Sequence, residues 1–270
     1  MKVWIFGANG MLGNYISTYL QTIFKIKAIT RNEYNISDLT VDNLREFLKD
    51  LNQNDVVINC AGVIPQRAKP DSRLYFTVNS LFPVILSQLC SEKASKMIHI
   101  TTDCVFSGKI SKKYNYYNED CIHDETNDYG VSKSLGEKCD ATIIRTSIIG
   151  EEKKNKKSLL EWVKKNKEGE IDGFVNHFWN GVTCLQLAKI IKEIIQKNLF
   201  WKGVRHVHSP LPVSKYELID LINKIYKLNI TINPRETDIP VDKTLSSLYE
   251  SFEIPSIEQQ IKEMKDFQII

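Results

Sequence analysis

Short apolar runs alternate along the chain with longer stretches in which apolar residues recur at helical spacing. The short runs are rich in Val and Ile and read KVWIFG, KIKAIT, DVVINCAG, KMIHITT, ATIIRTS and GVRHVHS. The longer stretches cover residues 41–51, 79–94, 131–139 and 183–197. Strands that are apolar on both faces and alternate with helices pair in parallel, and the helices cover the sheet. The pattern therefore predicts an α/β fold built on a doubly wound parallel sheet.

The pattern changes after Ser209. The stretch SPLPVSKYELIDLINKIYKL begins with prolines, and Ser214 is followed three residues later by Glu217, an arrangement typical of a helix N-terminus with a capping box. An amphipathic helix follows, and a last short helix is predicted around residues 256–266. We expect this part of the chain to form a small C-terminal lobe.

The turn after the first apolar run carries a glycine at every third position. The run ends at Phe6, and Gly7, Gly10 and Gly13 follow before apolar residues at helical spacing. Glycines at a strand–turn–helix junction let the backbone approach a ligand, and the free N–H groups of the first helical turn face an anion. The spacing G-x-x-G-x-x-G at this place predicts a site for the pyrophosphate of a dinucleotide.

The end of the second run bears on the choice of cofactor. Sites for NAD usually place an acid there, which binds the ribose hydroxyls, whereas this run ends in AITRN. Arg31 stands where a 2′-phosphate would lie, so the sequence favours NADPH over NADH. If the register differs by one or two residues, Arg31 is only a solvated arginine at a strand end.

Tyr129 and Lys133 stand four residues apart in YGVSK and so share one face of a predicted helix. An ammonium group beside a phenol favours the phenolate and lowers a pKa that is about 10 in the free side chain. The segment TTDCVFSG precedes the pair and places Thr102 at the carboxyl end of a predicted strand, where this architecture binds ligands. The three residues indicate a proton donor and acceptor at the edge of the sheet.

In these motifs the chain resembles the extended short-chain dehydrogenases/reductases, and in particular the dTDP-4-dehydrorhamnose reductase branch of nucleotide-sugar enzymes. The matching segments are GANGMLG, DVVINCAG, VNSLFPVILSQLC, TTDCVFSG, YGVSKSLGE and IIRTSIIG, in the order of the family. The resemblance implies a Rossmann fold that binds NADPH and reduces the carbonyl group of a nucleotide-linked sugar. It divides the chain into an NADP(H)-binding domain, 1–150, to which 176–209 return, and a substrate-binding lobe of 151–175 and 210–270.

The resemblance also implies roles for individual residues. Thr102, Tyr129 and Lys133 would form the catalytic triad: the tyrosine protonates the carbonyl oxygen, the threonine hydrogen-bonds it, and the lysine also holds the nicotinamide ribose. The expected cofactor-binding residues, besides Tyr129 and Lys133, are Gly7, Asn9, Gly10, Met11, Leu12, Arg31, Asp38, Leu39, Cys60, Ala61, Gly62 and Val63. The expected substrate-binding residues are Arg67, Phe106, Asn176, His177 and Trp179.

One position departs from the pattern of the simple rhamnose-forming reductases. The residue two after the catalytic threonine is usually tyrosine in those enzymes, and here it is Cys104. GDP-fucose synthase and related epimerase/reductases carry a cysteine in the corresponding place, where it acts as an acid/base on a carbon next to the ketone. We expect Cys104 to project from an extended segment towards the same side as Thr102. The alternative is that Cys104 is a small buried apolar residue.

Epimerisation needs a second acid/base on the other face of the sugar, and the sequence does not identify it. His177, Lys156 and Lys157 are candidates, although a lone histidine among aromatic residues is more often structural. His206 and His208 alternate along a predicted strand and are expected to be structural. No further ligand stands at metal-binding spacing, so we expect no metal site.

Composition narrows the classes of function. The chain of 270 residues has 36 basic and 33 acidic residues, a net charge of +3, which does not favour nucleic-acid binding. Its Lys-rich segment, 151–165, predicts a solvated helix face. The six cysteines contain no C-x-x-C pair, which indicates a reducing cytosol. The first strand begins at Lys2 and no apolar run approaches the roughly 18 residues of a membrane span, so we expect a cytoplasmic protein without a signal peptide.

The sequence thus predicts a cytoplasmic NADPH-dependent 4-ketoreductase of a UDP-, dTDP- or GDP-linked 4-keto-6-deoxy sugar in deoxysugar biosynthesis. It leaves open whether the protein is also a 3-epimerase, whether the sugar carries a C2 acetamido group, and whether the protein is a homodimer. Two other functions remain as alternatives: a redox-neutral epimerase or dehydratase that keeps NAD bound, and a non-catalytic NADP-binding regulatory subunit. Arg31 and TTDCVF argue against the first, and the intact Thr102, Tyr129 and Lys133 against the second.

Overall fold

The central feature of the fold is a parallel sheet of six strands. The computed structural model describes residues 1–65, 71–109, 116–154 and 156–269. The strands of the sheet are Lys2–Phe6 (β1), Lys25–Ile29 (β2), Val56–Asn59 (β3), Lys96–Thr102 (β4), Thr142–Thr146 (β5) and Gly203–His206 (β10). They lie in the order β2-β1-β3-β4-β5-β10, and every neighbouring pair is parallel. The predicted doubly wound α/β fold is confirmed, and each of the six apolar runs is one strand.

Helices cover both faces of this sheet. They are Met11–Leu20 (α1), Val41–Phe47 (α2), Ser72–Phe76 (α3), Phe82–Glu92 (α4), Asp128–Gly136 (α5), Leu159–Lys165 (α6), Cys184–Gln196 (α7), Lys215–Tyr226 (α8) and Ile257–Asp266 (α9). Successive residues of β1 enter two separate cores: Val3 and Ile5 pack with α1 and α7, whereas Trp4 and Phe6 pack with α4. Burial on both faces explains why the strands read as continuous apolar runs.

The order of the strands reverses at β1. The chain passes from β1 to β2 on one side and then crosses to β3, β4 and β5 on the other. In open α/β sheets, ligands bind outside the carboxyl ends of the strands at such a switch point. The turns after Phe6 and Asn59, which end β1 and β3, are therefore the expected place for a ligand.

Three small sheets lie outside the central one. Their strands are Ile148–Ile149 (β6) with Val182–Thr183 (β9), Glu170–Phe174 (β7) with Thr231–Arg235 (β12), and His177–Trp179 (β8) between Val213–Ser214 (β11) and Val241–Asp242 (β13). The strands β11, β12 and β13 lie in the part of the chain, after Ser209, for which the sequence predicted a small lobe, and that lobe stays a prediction. The finer division into a cofactor domain and a substrate lobe stays a prediction, since β10 joins the central sheet whereas β8 pairs with β11 and β13.

The Lys-rich segment, 151–165, is only partly helical, so the prediction of one solvated helix face is wrong for its first half. The carboxylate of Glu152 accepts hydrogen bonds from the backbone N–H groups of Lys157 (2.6 Å) and Ser158 (3.2 Å), and this fixes a loop. Ser158 then caps α6 by accepting from the N–H of Glu161. The helix begins only after this cap.

One helix is longer than the sequence pattern suggested. A π-helical segment, Thr77–Leu81, joins α3 to α4 in a continuous helix of 21 residues, Ser72–Glu92. By length and composition alone this helix could cross a membrane, which corrects the expectation that no segment approaches that length. Phe82, Leu86 and Leu89 are buried in the core under the sheet, so the helix serves as a core helix in this fold.

Candidate active site

The turn between β1 and α1 is shaped by two glycines that tolerate no side chain. Gly7 has φ +76, and a Cβ there would lie 2.8 Å from the backbone of Ala61. A Cβ on Gly13 would lie 2.2 Å from the carbonyl oxygen of Gly7, so the helix backbone packs closely against the turn. The two loops of the switch point are thus in backbone contact, which requires the glycine spacing seen in the sequence.

The N-terminus of α1 is left without a side-chain cap. Gly10 is the N-cap residue, with extended backbone, and it makes no capping hydrogen bond; the first turn contains no acidic residue. Met11 is partly exposed and Leu12 is buried in the core. Free N–H groups at a helix N-terminus, above a turn without side chains, fit a phosphate group. The residues present here therefore suit the pyrophosphate of NADP(H), with Asn9 exposed beside them.

Arg31 lies two residues beyond β2 and is exposed. No described carboxylate forms an ion pair with it, whereas the nearby carboxylate of Glu33 accepts hydrogen bonds from the N–H (2.8 Å) and the hydroxyl of Thr30. These bonds hold the pKa of Glu33 below its ordinary value. The Glu33 carboxylate is therefore already hydrogen-bonded to Thr30, whereas Arg31 has no carboxylate partner among the described residues.

The other predicted cofactor residues lie on two fixed loops. Asp38 ends a 3-10 turn, Ile36–Asp38, where its carboxylate accepts from the amide of Asn35 at 2.8 Å, and Leu39 follows it, partly buried. The loop after β3 contains Cys60, Ala61, Gly62 and Val63. The side-chain amide of Asn79 bonds both the N–H (2.9 Å) and the carbonyl (3.0 Å) of Val63 and so holds this loop in place.

Thr102, Tyr129 and Lys133 are brought together at the carboxyl end of β4. Thr102 is the last residue of that strand, and Tyr129 and Lys133 lie one turn apart on α5. The Thr102 side chain lies near enough to the Tyr129 hydroxyl to lower the pKa of Tyr129. The ammonium of Lys133 donates to the carbonyl of Ile100 at 2.9 Å. The structure thus places these three predicted residues in one cluster.

The protonation of this cluster is set largely by burial. Burial raises the pKa of Tyr129 above its ordinary value, and the nearby thiol of Cys104 raises it further. Burial lowers the pKa of Lys133 to about 8. Burial is the largest cause of the rise in the Tyr129 pKa, and a lowering of that pKa by Lys133 stays a prediction. Tyr129 keeps its proton, which suits a group that donates a proton to a ketone oxygen.

Cys104 does not lie on an extended segment, and that geometric expectation is wrong. A 3-10 turn, Asp103–Val105, follows Thr102 directly, because the Thr102 side chain accepts a hydrogen bond from the Cys104 N–H at 3.1 Å. The Cys104 thiol lies 3.5 Å from the carboxylate of Asp103 and close to Tyr129. Burial raises its pKa to about 12. Cys104 is thus a protonated thiol beside the triad.

The predicted substrate-binding residues have different fates. Arg67 lies outside the described residues. Phe106 is completely buried and stacks on Tyr117 with ring centroids 4.1 Å apart, so its assignment to the substrate is wrong: it belongs to the core. Asn176 and His177 both bond Thr237, the histidine through Nε2 at 2.8 Å.

Trp179 is almost completely buried in the hydrophobic core, and beside it lies a lysine that sequence reasoning missed. Lys215, the first residue of α8, holds its ammonium 5.2 Å from the centroid of the Trp179 ring. The same lysine is close enough to Asp103 and Cys104 for their charges to act on it. Its only sequence signal is its place directly after the Ser214 cap; contact with the β4 end depends on tertiary pairing.

A buried polar network lies behind the triad. Glu137, one turn beyond Lys133, pairs with the guanidinium of Arg145 at 2.5 Å and accepts from Thr101 at 2.9 Å. Arg145 also bonds His206 Nε2 at 2.8 Å, and His206 Nδ1 lies 2.7 Å from the carbonyl of Ser246. His208 contacts Asn180 at 3.2 Å. Within the part of the chain that the structure describes, no three His, Cys, Asp or Glu side chains form a metal-binding group.

Comparisons with known proteins agree with this arrangement. The family model described as RmlD substrate binding domain matches residues 1–261. The dTDP-4-dehydrorhamnose reductase of Mycolicibacterium smegmatis is 32% identical over 161 residues, which are 55% of this chain and 46% of that protein. The spore coat polysaccharide biosynthesis protein SpsK of Bacillus subtilis is 32% identical over 157 residues, 55% of this chain and 53% of that protein. The match spans about half the length of these two relatives.

Solved structures show the same fold over nearly the whole chain. The dTDP-4-dehydrorhamnose reductase of Bacillus anthracis, solved in complex with NADP, superposes with a TM-score of 0.83 at 20% identity, over 98% of each chain. The dTDP-4-dehydrorhamnose reductase of Clostridium acetobutylicum superposes with a TM-score of 0.81 at 21% identity, over 98% of this chain and 99% of that one. At these identities the likeness concerns the fold.

Proposed function

The chain belongs to the RmlD substrate binding domain family, and from this premise we propose that it is an NADPH-dependent reductase of the 4-keto group of a nucleotide-linked 4-keto-6-deoxy sugar. The observation that carries the proposal is the cluster of Thr102, Tyr129 and Lys133 beside the switch point of the sheet. The names of the two curated relatives support a role in sugar biosynthesis. The reduction would take place in the cytoplasm, as a step of deoxysugar biosynthesis.

The roles of the chain's own residues follow from their surroundings. Tyr129 holds its proton and lies beside Thr102, so both hydroxyls can hydrogen-bond one carbonyl oxygen. As negative charge develops on that oxygen, Tyr129 transfers its proton and Thr102 stabilises the charge. NADPH, when bound, supplies the hydride to the carbonyl carbon. Lys133 would hold the ribose of the cofactor.

The cofactor would lie across the switch point. The free N-terminus of α1 would bind the pyrophosphate, and Asp38 and Leu39 would flank the adenine. Residues 60–63 would line the ribose and nicotinamide, in a loop that Asn79 fixes. Arg31 would bind the 2′-phosphate because no described carboxylate pairs with it. These assignments favour NADPH over NADH.

A coupled epimerisation is a second candidate function. The Cys104 thiol lies close enough to Tyr129 to act on its pKa, so it would stand near the carbon beside a ketone held by Tyr129. A proton on that carbon is acidified because Thr102 and Tyr129 stabilise the resulting enolate. The nucleotide of the substrate, whether UDP, dTDP or GDP, is not assigned, and homodimerisation remains a prediction.

The decisive experiment follows NADPH consumption at 340 nm with a panel of UDP-, dTDP- and GDP-linked 4-keto-6-deoxy sugars. We expect one nucleotide class to give turnover, and Tyr129→Phe to remove it. A redox-neutral epimerase would instead convert its substrate with NAD bound and no net oxidation. A regulatory subunit would bind NADPH with no turnover on any sugar. Either result would overturn the proposed reductase.

A further inference from the structure

The loop after β3 leaves the central sheet at Cys60. The Cys60 N–H still donates to the carbonyl of Phe6 in β1, at 3.0 Å. The next N–H, that of Ala61, donates instead to the side-chain oxygen of Asn59, at 3.1 Å. A Cβ on Gly7 would lie 2.8 Å from the backbone nitrogen of Ala61, so the turn after β1 packs on this same peptide group. The Asn59 side chain therefore fixes the place where the two loops of the switch point touch.

The Asn59 amide can face Ala61 in two ways, and His99 selects one of them. The Ala61 N–H is a donor, so it needs the side-chain oxygen of Asn59 and not the NH₂ group. Asn59 and His99 are direct partners in the register of β3 and β4, and the NH₂ nitrogen lies 3.1 Å from Nδ1 of the His99 ring. If the amide turned over, its NH₂ group would face the Ala61 N–H, and two donors would meet. The contact with His99 thus locks the orientation that holds the loop.

The same contact assigns the proton of the His99 ring to Nε2. Nδ1 accepts from the NH₂ group of Asn59, so a neutral ring carries its proton on the other nitrogen. Both side chains are completely buried, and burial together with the charge of Lys133 lowers the pKa of His99, which keeps the ring neutral. Nε2 has no hydrogen-bond partner among the described residues. Burying an unpaired N–H is unfavourable, so the bond to Asn59 is what the histidine contributes here.

We propose that His99 is a positioning residue of the cofactor site: through the Asn59 amide, it holds the backbone of Ala61 where residues 60–63 can bind NADPH. The inference rests on the function proposed above, which assigns these residues to the ribose and nicotinamide. His99 itself need not touch the cofactor or the sugar. Without an acceptor in place of His99, the Asn59 amide is free to rotate, and the Ala61 N–H loses its fixed partner. The loop must then be ordered when NADPH binds, which weakens binding.

The first experiment reads the tautomer of His99 by heteronuclear NMR in the protein without cofactor. Protonated and unprotonated ring nitrogens give separate signals, which are assigned by their loss in His99→Asn and His206→Gln. We expect the proton of His99 on Nε2. His206 is the internal control with the opposite tautomer, because its Nδ1 lies 2.7 Å from the carbonyl of Ser246 and its Nε2 faces the Arg145 guanidinium at 2.8 Å. A proton on Nδ1 of His99 would overturn the inference.

The second experiment measures the affinity for NADPH by titration calorimetry, with no sugar present. His99→Leu removes the acceptor but fills the space, and it should weaken NADPH binding by about tenfold, the cost of one buried unpaired group. His99→Asn should bind within about twofold of the wild type, because its Oδ1 is as many bonds from Cα as Nδ1 is and can accept from Asn59. A His99→Asn protein that binds as weakly as His99→Leu would show that the acceptor is not what matters.

A double-variant cycle tests the route through Asn59. Asn59→Leu should weaken NADPH binding at least as much as His99→Leu, and the double variant should bind like Asn59→Leu alone. Losses that add would mean that His99 acts by another route. His206→Gln is the matched control: it replaces a buried histidine of the same sheet whose described contacts do not reach residues 60–63, and affinity should change by no more than about twofold. Circular dichroism checks that each variant is folded. Because the tautomer is read in the wild type, the inference stays testable even if a leucine variant does not fold.

The outcomes separate this inference from the function on which it rests. If a sugar is reduced but His99→Leu binds NADPH as tightly as the wild type, the reductase stands and the positioning role is refuted. If the affinities follow the expected order but no sugar is reduced, the positioning role stands and the proposed reduction fails. If the wild type binds no NADPH, both fail.

Discussion

At the scale of single residues, burial shifts the pKa values of the acidic and basic side chains in the candidate active site in opposite directions. A phenol and a thiol are charged only after losing a proton, so burial keeps Tyr129 and Cys104 protonated. A lysine is charged while it holds its proton, so burial makes the proton of Lys133 and Lys215 easier to remove. The site therefore contains a phenol and a thiol that hold their protons, and two lysines whose protons are easier to remove than in water.

The first prediction concerns Arg31. Arg31→Ala should weaken binding of NADPH selectively and leave NADH nearly unaffected, because the guanidinium would meet only the 2′-phosphate with charge-assisted hydrogen bonds. Each such bond is worth about 1.5–3 kcal/mol, so the affinity for NADPH should fall about 10- to 100-fold. Titration calorimetry with both cofactors measures the difference. Equal affinities for NADPH and NADH in the wild type and in the variant would remove Arg31 from the cofactor site.

The second prediction separates the roles of Tyr129 and Lys133. Tyr129→Phe removes only the proton donor, so turnover should fall by about 10²- to 10⁴-fold while NADPH binding stays nearly intact. Lys133→Ala should reduce both, because the lysine also holds the ribose. Stopped-flow turnover and fluorescence titration of NADPH provide the two readouts. A Tyr129→Phe enzyme with near wild-type reduction would show that the triad is misassigned.

At the scale of elements, the sequence predicts the secondary structure well. It predicts less well which side chains the fold brings close to the candidate active site. All six central strands, the capping box at Ser214 and the helix after Ser256 follow from local patterns. The turn at Cys104 does not, because the Thr102 side chain competes for the next N–H and ends the extended backbone. Lys215 is invisible to local patterns, since its place depends on the pairing of β11 with β8.

The third prediction tests the cap that positions Lys215. Ser214 is buried and forms a full capping box: its hydroxyl accepts from the N–H of Glu217, and the Glu217 carboxylate accepts from the Ser214 N–H at 2.6 Å. Ser214→Ala should lower the free energy of unfolding by about 1–2 kcal/mol. Ser256→Ala, at the exposed cap of α9, is the matched control and should cost less. Urea unfolding compares them, and an equal loss in both would contradict a special role for the box.

At the scale of the whole molecule, buried charge joins elements that are distant in the sequence. Arg145 of β5 links Glu137, the C-cap residue of α5, to His206 of β10, and His206 in turn contacts Ser246. Glu119 accepts hydrogen bonds from the His206 N–H at 2.8 Å and from Leu248 at 2.9 Å. Arg145 also contacts Nε2 of His123 at 2.7 Å. Because Glu137 already balances the charge of Arg145, protonation of His123 or His206 would add an unbalanced positive charge beside it. Protonation of either histidine should therefore destabilise the whole fold.

The fourth prediction concerns stability at acid pH. Burial lowers the pKa of His206 to about 4, with Arg145 adding to the shift, and it also lowers the pKa of His123 and His99. The unfolded chain binds these protons below about pH 6.5, whereas the native protein does not. Stability should therefore be highest above about pH 6.5 and fall as the pH decreases from 6.5 towards 4, by up to about 1.4 kcal/mol per pH unit for each histidine.

His206→Gln tests this directly, because glutamine can still accept from Arg145 and donate to the Ser246 carbonyl but does not titrate. Urea unfolding between about pH 5 and 6.5, above the range in which glutamates ordinarily titrate, isolates the histidine contribution. In His206→Gln, we expect the slope of the unfolding free energy against pH to fall by up to about 1.4 kcal/mol per pH unit, the equivalent of one proton. This expectation does not depend on the stability of the variant at pH 7.5. An unchanged slope in His206→Gln would mean that His206 is already charged in the native protein, which its contact with the Arg145 guanidinium at 2.8 Å disfavours.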